Sequence, residues 1–489
     1  MAGLQCHKRL WQQAHAPLSL DERETPSAAV WGTYVGERAQ ELFAGGVLIH
    51  AQRVGRDKAV AMTKAALDDP AVHAIFEATF VADGIQARVD ILERSGKSWI
   101  LNEVKSSTSI KDEHLQDVAV QLHVLRAAGL VVKKVRVWHI DNTYERGPVL
   151  ELEKVFAKAD VTAEAETRLS AIPARLAEFR AMLARKSAPD IAPSGHCHTP
   201  YSCEFWDRCT ADKPNDWVLN MPGRKEKLLA DLQTRGIERI SDIPDDAPMT
   251  ANQRIVRDAH RDGVPWISER LADALRPAAG PCAYLDFETF APAIPLFEGT
   301  RPYQALAFQW SLHWRDARGA LSHDMYLGDG AIDPRAAFVR TLVAALEQVE
   351  GKIVVYSGFE RRILGELKSL VEPRLATRID AIIERLFDLL QVVRGNIYMP
   401  EFAFSNSIKT VGPALAPDID YGDLPIADGT AASDAFTRLA MELDPDPAGT
   451  RAALVRYCAL DTQALASVHA ALERIAARED LARSDRAAV

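Results

Sequence analysis

Twice in this chain an apolar strand pattern runs out onto charged side chains that alternation places on one face, and each time a helix and a further strand follow. The first stretch opens with Gln86-Ala-Arg-Val-Asp-Ile-Leu, turns at Glu93-Arg-Ser-Gly-Lys-Ser and returns as Trp99-Ile-Leu-Asn-Glu-Val-Lys, which predicts a strand pair over 83–104. Apolar residues at 115, 118, 119, 122 and 125 before Gly129 predict a helix over 115–128, and Lys134-Val-Arg-Val-Trp-His-Ile predicts another strand. The second stretch begins at Cys282-Ala-Tyr-Leu-Asp-Phe-Glu. It continues with a strand at 303–314, a helix at 334–349, a buried strand at Lys352-Ile-Val-Val-Tyr-Ser, and helices from Glu360 and from Arg451. Strands alternating with helices specify an α/β fold class. Between the two, 212–281 has several prolines, no strand pattern, and one helix from Lys225 that stops at Gly236. The expected organisation is a domain over 1–212, a helical connector over 213–278 and a second domain over 279–489.

Composition narrows the class of function. Fifty-eight Lys and Arg face 68 Asp and Glu, a net charge of −10, so any contact with nucleic acid must come from local basic patches. The opening residues lack a signal-peptide core and no apolar run approaches membrane-spanning length, so the expectation is a cytoplasmic protein with no membrane partner. In that reducing compartment six cysteines argue against disulfides, and their spacing points to a metal instead.

In the first stretch, Asp90 ends one strand while Glu103 and Lys105 share a face of its partner. Two carboxylates there can hold Mg²⁺ through oxygen, and the lysine can orient or activate a water, as phosphodiester hydrolysis requires. An isolated Glu-x-Lys is usually a solvated strand edge; the hairpin, the upstream Asp and the following helix with Gln121 favour a site. With Asp90, Glu103, Lys105 and Gln121 in this order, the chain resembles the RecB-like branch of the PD-(D/E)xK nucleases. That family carries a histidine on an early helix where this chain offers Gln40 or Glu41, and a tyrosine where this chain has Leu125.

Cys197-x5-Cys203-x5-Cys209 is compact, and Cys6 lies far upstream. Thiolates spaced so closely read as zinc or iron–sulfur ligands. The RecB-like branch has one cysteine before the nuclease core and three after it, which together hold a 4Fe-4S cluster, so the resemblance implies that cofactor on Cys6, Cys197, Cys203 and Cys209. His7, His196 and His198 keep a mixed zinc site as the alternative. Cys282 and Cys458 are read as core residues.

In the second stretch, Asp286 and Glu288 share a strand face, and Tyr457 and Asp461 share a helix face at i, i+4. Val355-Tyr-Ser-Gly-Phe-Glu360 brings a further carboxylate from a strand into a helix. Four such acids repel unless cations neutralise them, and two Mg²⁺ ions about 4 Å apart would do so around a reacting phosphate. This resembles the DnaQ-like, or DEDD, exonucleases of the RNase H-like fold in the subclass with a Tyr-x3-Asp third motif. Glu360 stands where that family has aspartate. Ser407-Ile-Lys-Thr-Val, Tyr421-Gly-Asp-Leu and Arg456-Tyr-Cys-Ala-Leu-Asp-Thr extend the likeness to an uncharacterised bacterial family that fuses the two domain types. Lys409 and Arg394 are candidate phosphate contacts, and Asp388 is a neighbour of the acids or a helix cap.

The expectation is therefore a PD-(D/E)xK restriction-endonuclease-like domain, a helical connector and an RNase H-like exonuclease domain. It implies a nuclease using Mg²⁺ or Mn²⁺ on nucleic acid, DNA favoured over RNA, in repair or defence. Asp90, Glu103, Asp286, Glu288, Glu360 and Asp461 are the expected metal ligands, with Lys105, Gln121 and Tyr457 beside them. The alternative is a protein that binds nucleic-acid ends through degenerate sites.

Overall fold

In a computed structural model the described residues are 1–19, 27–315, 318 and 320–487. The chain is α/β. It divides into two compact units, one of Met1–Asp212 with Pro292–Gln304 and the other of Lys213–Ala291 with Ala305–Val489.

Unit one is built on a six-stranded sheet in sequence order: β1 (Val47–Leu48), β2 (Ala74–Ala82), β3 (Ile85–Ser95), β4 (Ser98–Lys105), β5 (Val132–Ile140) and β6 (Phe156–Asp160). Strands β2, β3 and β4 form an antiparallel meander, and β5 lies parallel to β4. Parallel neighbours need a crossover, which the helix Asp112–Ala127 supplies. Alternation along β5 sends Val135 and Val137 against Val118, Leu122 and Leu125 of that helix. Trp138 and Ile140 face the other way, into a core with Val35, Ala39, Phe156, Ala293 and Ile294. Both faces of the sheet are thus covered, and each fully buried large side chain contributes about 1.5–3 kcal/mol.

Unit two opens with the helices Glu226–Arg235 and Ala251–Asp262, the second capped reciprocally by Thr250 and Gln253. A short strand β7 (Trp266–Ile267) follows, so the stretch read as a connector packs within this unit. The main sheet holds β8 (Cys282–Phe290), β9 (Leu306–Arg315), β10 (Leu321–Leu327), β11 (Lys352–Val355) and β12 (Leu386–Asp388), while β13 (Ile397–Tyr398) pairs with β7. Its spatial order is β10-β9-β8-β11-β12. The first three strands are antiparallel, and β11 and β12 run parallel to β8. Strand β9 starts later than the sequence pattern suggests; Tyr303 adopts φ 59°, in the left-handed region outside the ordinary strand range.

Central β8 sorts its side chains by alternation. Ala283, Leu285 and Phe287 enter a core with Trp310, Leu312, Phe338, Leu342, Ile353 and Ile363. Tyr284, Asp286 and Glu288 take the opposite face, over which the helix Pro447–Ala487 packs. No helix among the described residues is long and apolar enough to cross a membrane.

Gly351 lets β11 enter beside β8. Its φ is 82°, and a Cβ there would lie 1.9 Å from the Pro281 carbonyl oxygen. Gly351→Ala is expected to destabilise unit two by on the order of 2 kcal/mol or more. Gly365→Ala, in the open middle of the helix Phe359–Lys368, is expected to stabilise it slightly. Thermal unfolding of the two variants beside the wild type checks the contrast.

Candidate functional site

Asp286 and Glu288 stand two residues apart on β8, and Tyr457, Cys458 and Asp461 descend on them from the helix Pro447–Ala487. Glu360 occupies the first turn of the helix Phe359–Lys368, where it is 3% exposed. Asp286, Glu288 and Cys458 form the one group among the described residues whose ligand atoms all lie within 4.8 Å of one another. This is a possible metal-binding triad. The ligand atoms of Glu360 and Asp461 do not join that group, although both acids are near enough to act on its charges.

Electrostatics set this centre apart. Burial, then repulsion from Asp461, Glu288 and Glu360, pushes Asp286 well above the carboxylate range. Glu288 is raised by burial and Asp461, with Lys409 opposing. Burial lifts Glu360 to about 8, and Asp388 adds to the shift. Asp461 is raised by burial despite hydrogen bonds from Tyr421 and Tyr457. The Tyr421 hydroxyl donates to Asp461 Oδ1 at 2.8 Å. Lys409 Nζ donates to the Tyr457 hydroxyl at 2.9 Å and to the Ala427 carbonyl at 2.6 Å. The Cys458 thiol donates to Asp286 Oδ2 at 3.6 Å. Glu360 Oε2 is buried with no hydrogen-bond partner.

Sequence reasoning missed the parts played by Tyr421 and Cys458, and gave Lys409 to a phosphate rather than to Tyr457. Lys409 and Tyr421 come from a helix over Ile408–Leu415 and the loop after it, with no spacing that links them to β8. Asp388 caps the helix Leu389–Asn396 through Gln391 and also faces Glu360, so both readings of it apply.

In unit one the structure brings Asp90, Glu103, Lys105 and Gln121 together. Asp90 Oδ2 accepts from the Val104 N–H at 2.8 Å. Lys105 Nζ donates to Glu103 Oε1 at 2.6 Å and to Asp117 Oδ2 at 2.8 Å, and Gln121 Nε2 donates to Glu103 Oε2 at 2.8 Å. Burial lifts Asp90 to about 6, against the pull of Lys105. Burial, then Asp90, lifts Glu103 to about 8. Burial works against the charge on Lys105, but Glu103 and Asp117 outweigh it and raise its pKa. Asp117 was legible as the residue one turn before Gln121 on the same helix face. Glu77 was not: it sits on β2 at φ 57°, pairs with Arg88 at 2.7 Å, acts on Asp90 and is itself raised by burial and by Glu103. Among the described residues no hydrogen bond joins Gln40 or Glu41 to this group; Glu41 pairs with Arg38. Leu125 is a fully buried core residue.

All four expected cysteines line one small cavity together with Gln12, Phe205 and Trp206. The N-terminal helix His7–His15 is tied to this region by Arg9–Glu204 at 2.7 Å and by Trp11 donating to the Arg185 carbonyl. Gln5 donates to the His196 and Tyr201 carbonyls. Burial pushes up the thiols of Cys197 and Cys203. His7 pairs with Glu178 and His198 packs at a tilt against Trp206, whereas His196 Nε2 lies 3.6 Å from Cys197 Sγ.

Residues 283–407 match the profile of a family described as Domain of unknown function (DUF2779). The match spans Asp286, Glu288 and Glu360 and ends before Asp461. No curated protein and no solved structure matches the chain.

The raised carboxyls carry a sign. A carboxyl whose pKa is higher folded than unfolded adds stability below its unfolded value, and that stability is lost as pH rises through about 8 for Glu360. Chelator-treated protein is expected to melt at lower temperature near about pH 9 than near about pH 5, and Glu360→Gln to shrink that difference. Melting curves across that range check it; equal slopes for both proteins contradict it.

Proposed function

We propose that the chain is a metal-dependent nuclease with two active sites, one in each unit. The observation that carries this reading is the cluster of Asp286, Glu288, Glu360 and Asp461, four carboxylates from three elements, mostly buried and raised by burial and, at Asp286 and Glu288, by mutual repulsion. Such a cluster is short of positive charge, and a divalent cation supplies it. The sheet order of unit two, an antiparallel trio followed by two parallel strands, supports a DnaQ-like exonuclease of the RNase H-like fold. The meander, crossover helix and parallel strand of unit one support a RecB-like PD-(D/E)xK nuclease.

In unit two Asp286, Glu288, Glu360 and Asp461 would hold Mg²⁺ or Mn²⁺; in unit one Asp90 and Glu103 would do so. Bound there, such ions polarise a phosphate oxygen and lower the pKa of a water. The chain's own groups do the positioning. Lys409 fixes the Tyr457 hydroxyl, which is placed to orient an attacking water, and Tyr421 holds Asp461 in its rotamer. Gln121 and Lys105 lock the two oxygens of Glu103, and Asp117 holds the lysine in place. The substrate is a nucleic acid, DNA favoured over RNA, handled in the cytoplasm in repair or defence.

The four cysteines gathered around one small cavity support the 4Fe-4S reading, with a zinc site of mixed cysteine and histidine ligands as the alternative. A second reading, a nucleic-acid-end binding protein, is favoured at unit one, where Leu125 offers no hydroxyl and, among the described residues, no hydrogen bond joins Gln40 to the acids.

Anaerobically purified protein on end-labelled single-stranded DNA with Mn²⁺ tests the proposal. Lys105→Ala and Asp286→Ala are each expected to remove a distinct set of products by at least about 100-fold. An intact strand with all three proteins, while metals are bound, moves the binding reading ahead. The same wild-type preparation is expected to be brown and to hold iron, and Cys203→Ala to lose it; a colourless zinc-loaded protein overturns the cluster.

A further inference from the structure

Cys458 is the part of the unit-two centre that oxygen chemistry does not explain. It is fully buried, between Tyr457 and Asp461 in sequence, and the helix turns its sulfur onto β8. Its Sγ stands with a carboxylate oxygen from each of Asp286 and Glu288 inside a 4.8 Å group. The Sγ to Asp286 Oδ2 distance is 3.6 Å. One sulfur at about 2.3 Å and one oxygen at about 2.1 Å on a tetrahedral zinc ion lie about 3.6 Å apart. A second observation points to a ligand at the same place. Glu360, 3% exposed, keeps Oε2 without a hydrogen-bond partner and acts on both Asp286 and Glu288. Cys282, at the start of β8, has a separate partner in the Tyr284 hydroxyl at 3.2 Å.

We propose that Asp286, Glu288 and Cys458 form a mixed oxygen–sulfur site that takes a thiophilic divalent cation of the zinc class in preference to magnesium. This rests on the reading of the centre as a metal site. Magnesium demands oxygen ligands and keeps its waters, whereas a thiolate selects zinc and its softer neighbours. On binding, the thiol proton leaves to the buffer and the sulfur lone pair goes to the ion. Two oxygens and one sulfur leave a tetrahedral position open for water or a phosphate oxygen, as a catalytic rather than a structural zinc site does. Glu360 lies beside that set, available to a second ion or to the bound water.

The test is cobalt titration of the full-length chain, stripped of metal, followed by the near-ultraviolet sulfur-to-cobalt charge-transfer band. The four-cysteine region gives such a band as well, so the readout is the difference between wild type and Cys458→Ser. The proposal expects the serine variant to lose one thiolate-bound cobalt and to bind zinc about 10- to 100-fold more weakly, with magnesium binding unchanged. Identical cobalt spectra and zinc affinities overturn it, and leave the thiol as a hydrogen-bond donor to Asp286. If Cys458→Ser fails to fold, Asp286→Asn decides, because it keeps the cysteine and must lose the same band. The nuclease reading is judged separately. Hydrolysis by wild type in magnesium with no Cys458-dependent band removes the sulfur ligand only, and a band in a chain that cuts nothing removes the nuclease only.

Discussion

Unit two is organised around carboxylates held out of water. An ionised carboxylate loses solvation on burial, and each added like charge nearby makes the loss greater. The structure nevertheless gathers Asp286, Glu288, Glu360 and Asp461 beneath the helix Pro447–Ala487. What holds them there is the apolar side of the same strand. Leu285 and Phe287 anchor β8 in its core, so Asp286 and Glu288 have no freedom to turn toward solvent. Tyr421, Tyr457, Cys458 and Lys409 then lessen the strain by hydrogen bond or charge. The hydrophobic layer and the acidic layer are two sides of one alternation.

Unit one solves the same problem with a cation of its own. Lys105 lies between Glu103 and Asp117, with Asp90 one strand away. That fixed ammonium offsets part of the negative charge and opposes the rise of both Asp90 and Glu103. The second centre has Lys409 at one side, bonded to Tyr457 and opposing the rise of Glu288 and Asp461. The two clusters thus differ in where their cation sits, directly on a carboxylate in one and behind a tyrosine in the other, even though strand alternation builds both.

The parts legible in the sequence are those that a period encodes. Asp286 with Glu288 and Glu103 with Lys105 follow from the two-residue repeat of a strand, and Tyr457 with Asp461 from the four-residue repeat of a helix. The α/β class follows from the succession of such patterns. Cys458 shows where a period stops informing: one position past Tyr457 it reads as core, and it is buried, but burial alone does not say that its sulfur faces an acid. Glu77 depends on a backbone conformation, φ 57° within a strand, that side-chain pattern does not reveal. Lys409 and Tyr421 reach the acids through tertiary packing of a region with no repeat at all.

The segment Pro292–Gln304 leaves the sheet of unit two between β8 and β9 and belongs to unit one, where Ala293 and Ile294 fill a core with Trp138 and Tyr144. A chain emerging from the ribosome therefore has the whole of Met1–Asp212 in hand while that core still lacks a wall. At ordinary elongation rates the missing piece arrives on the order of ten seconds later. During that interval the apolar surface around Trp138 has only solvent or a chaperone to meet, and the first half of the protein cannot finish before the second half has begun.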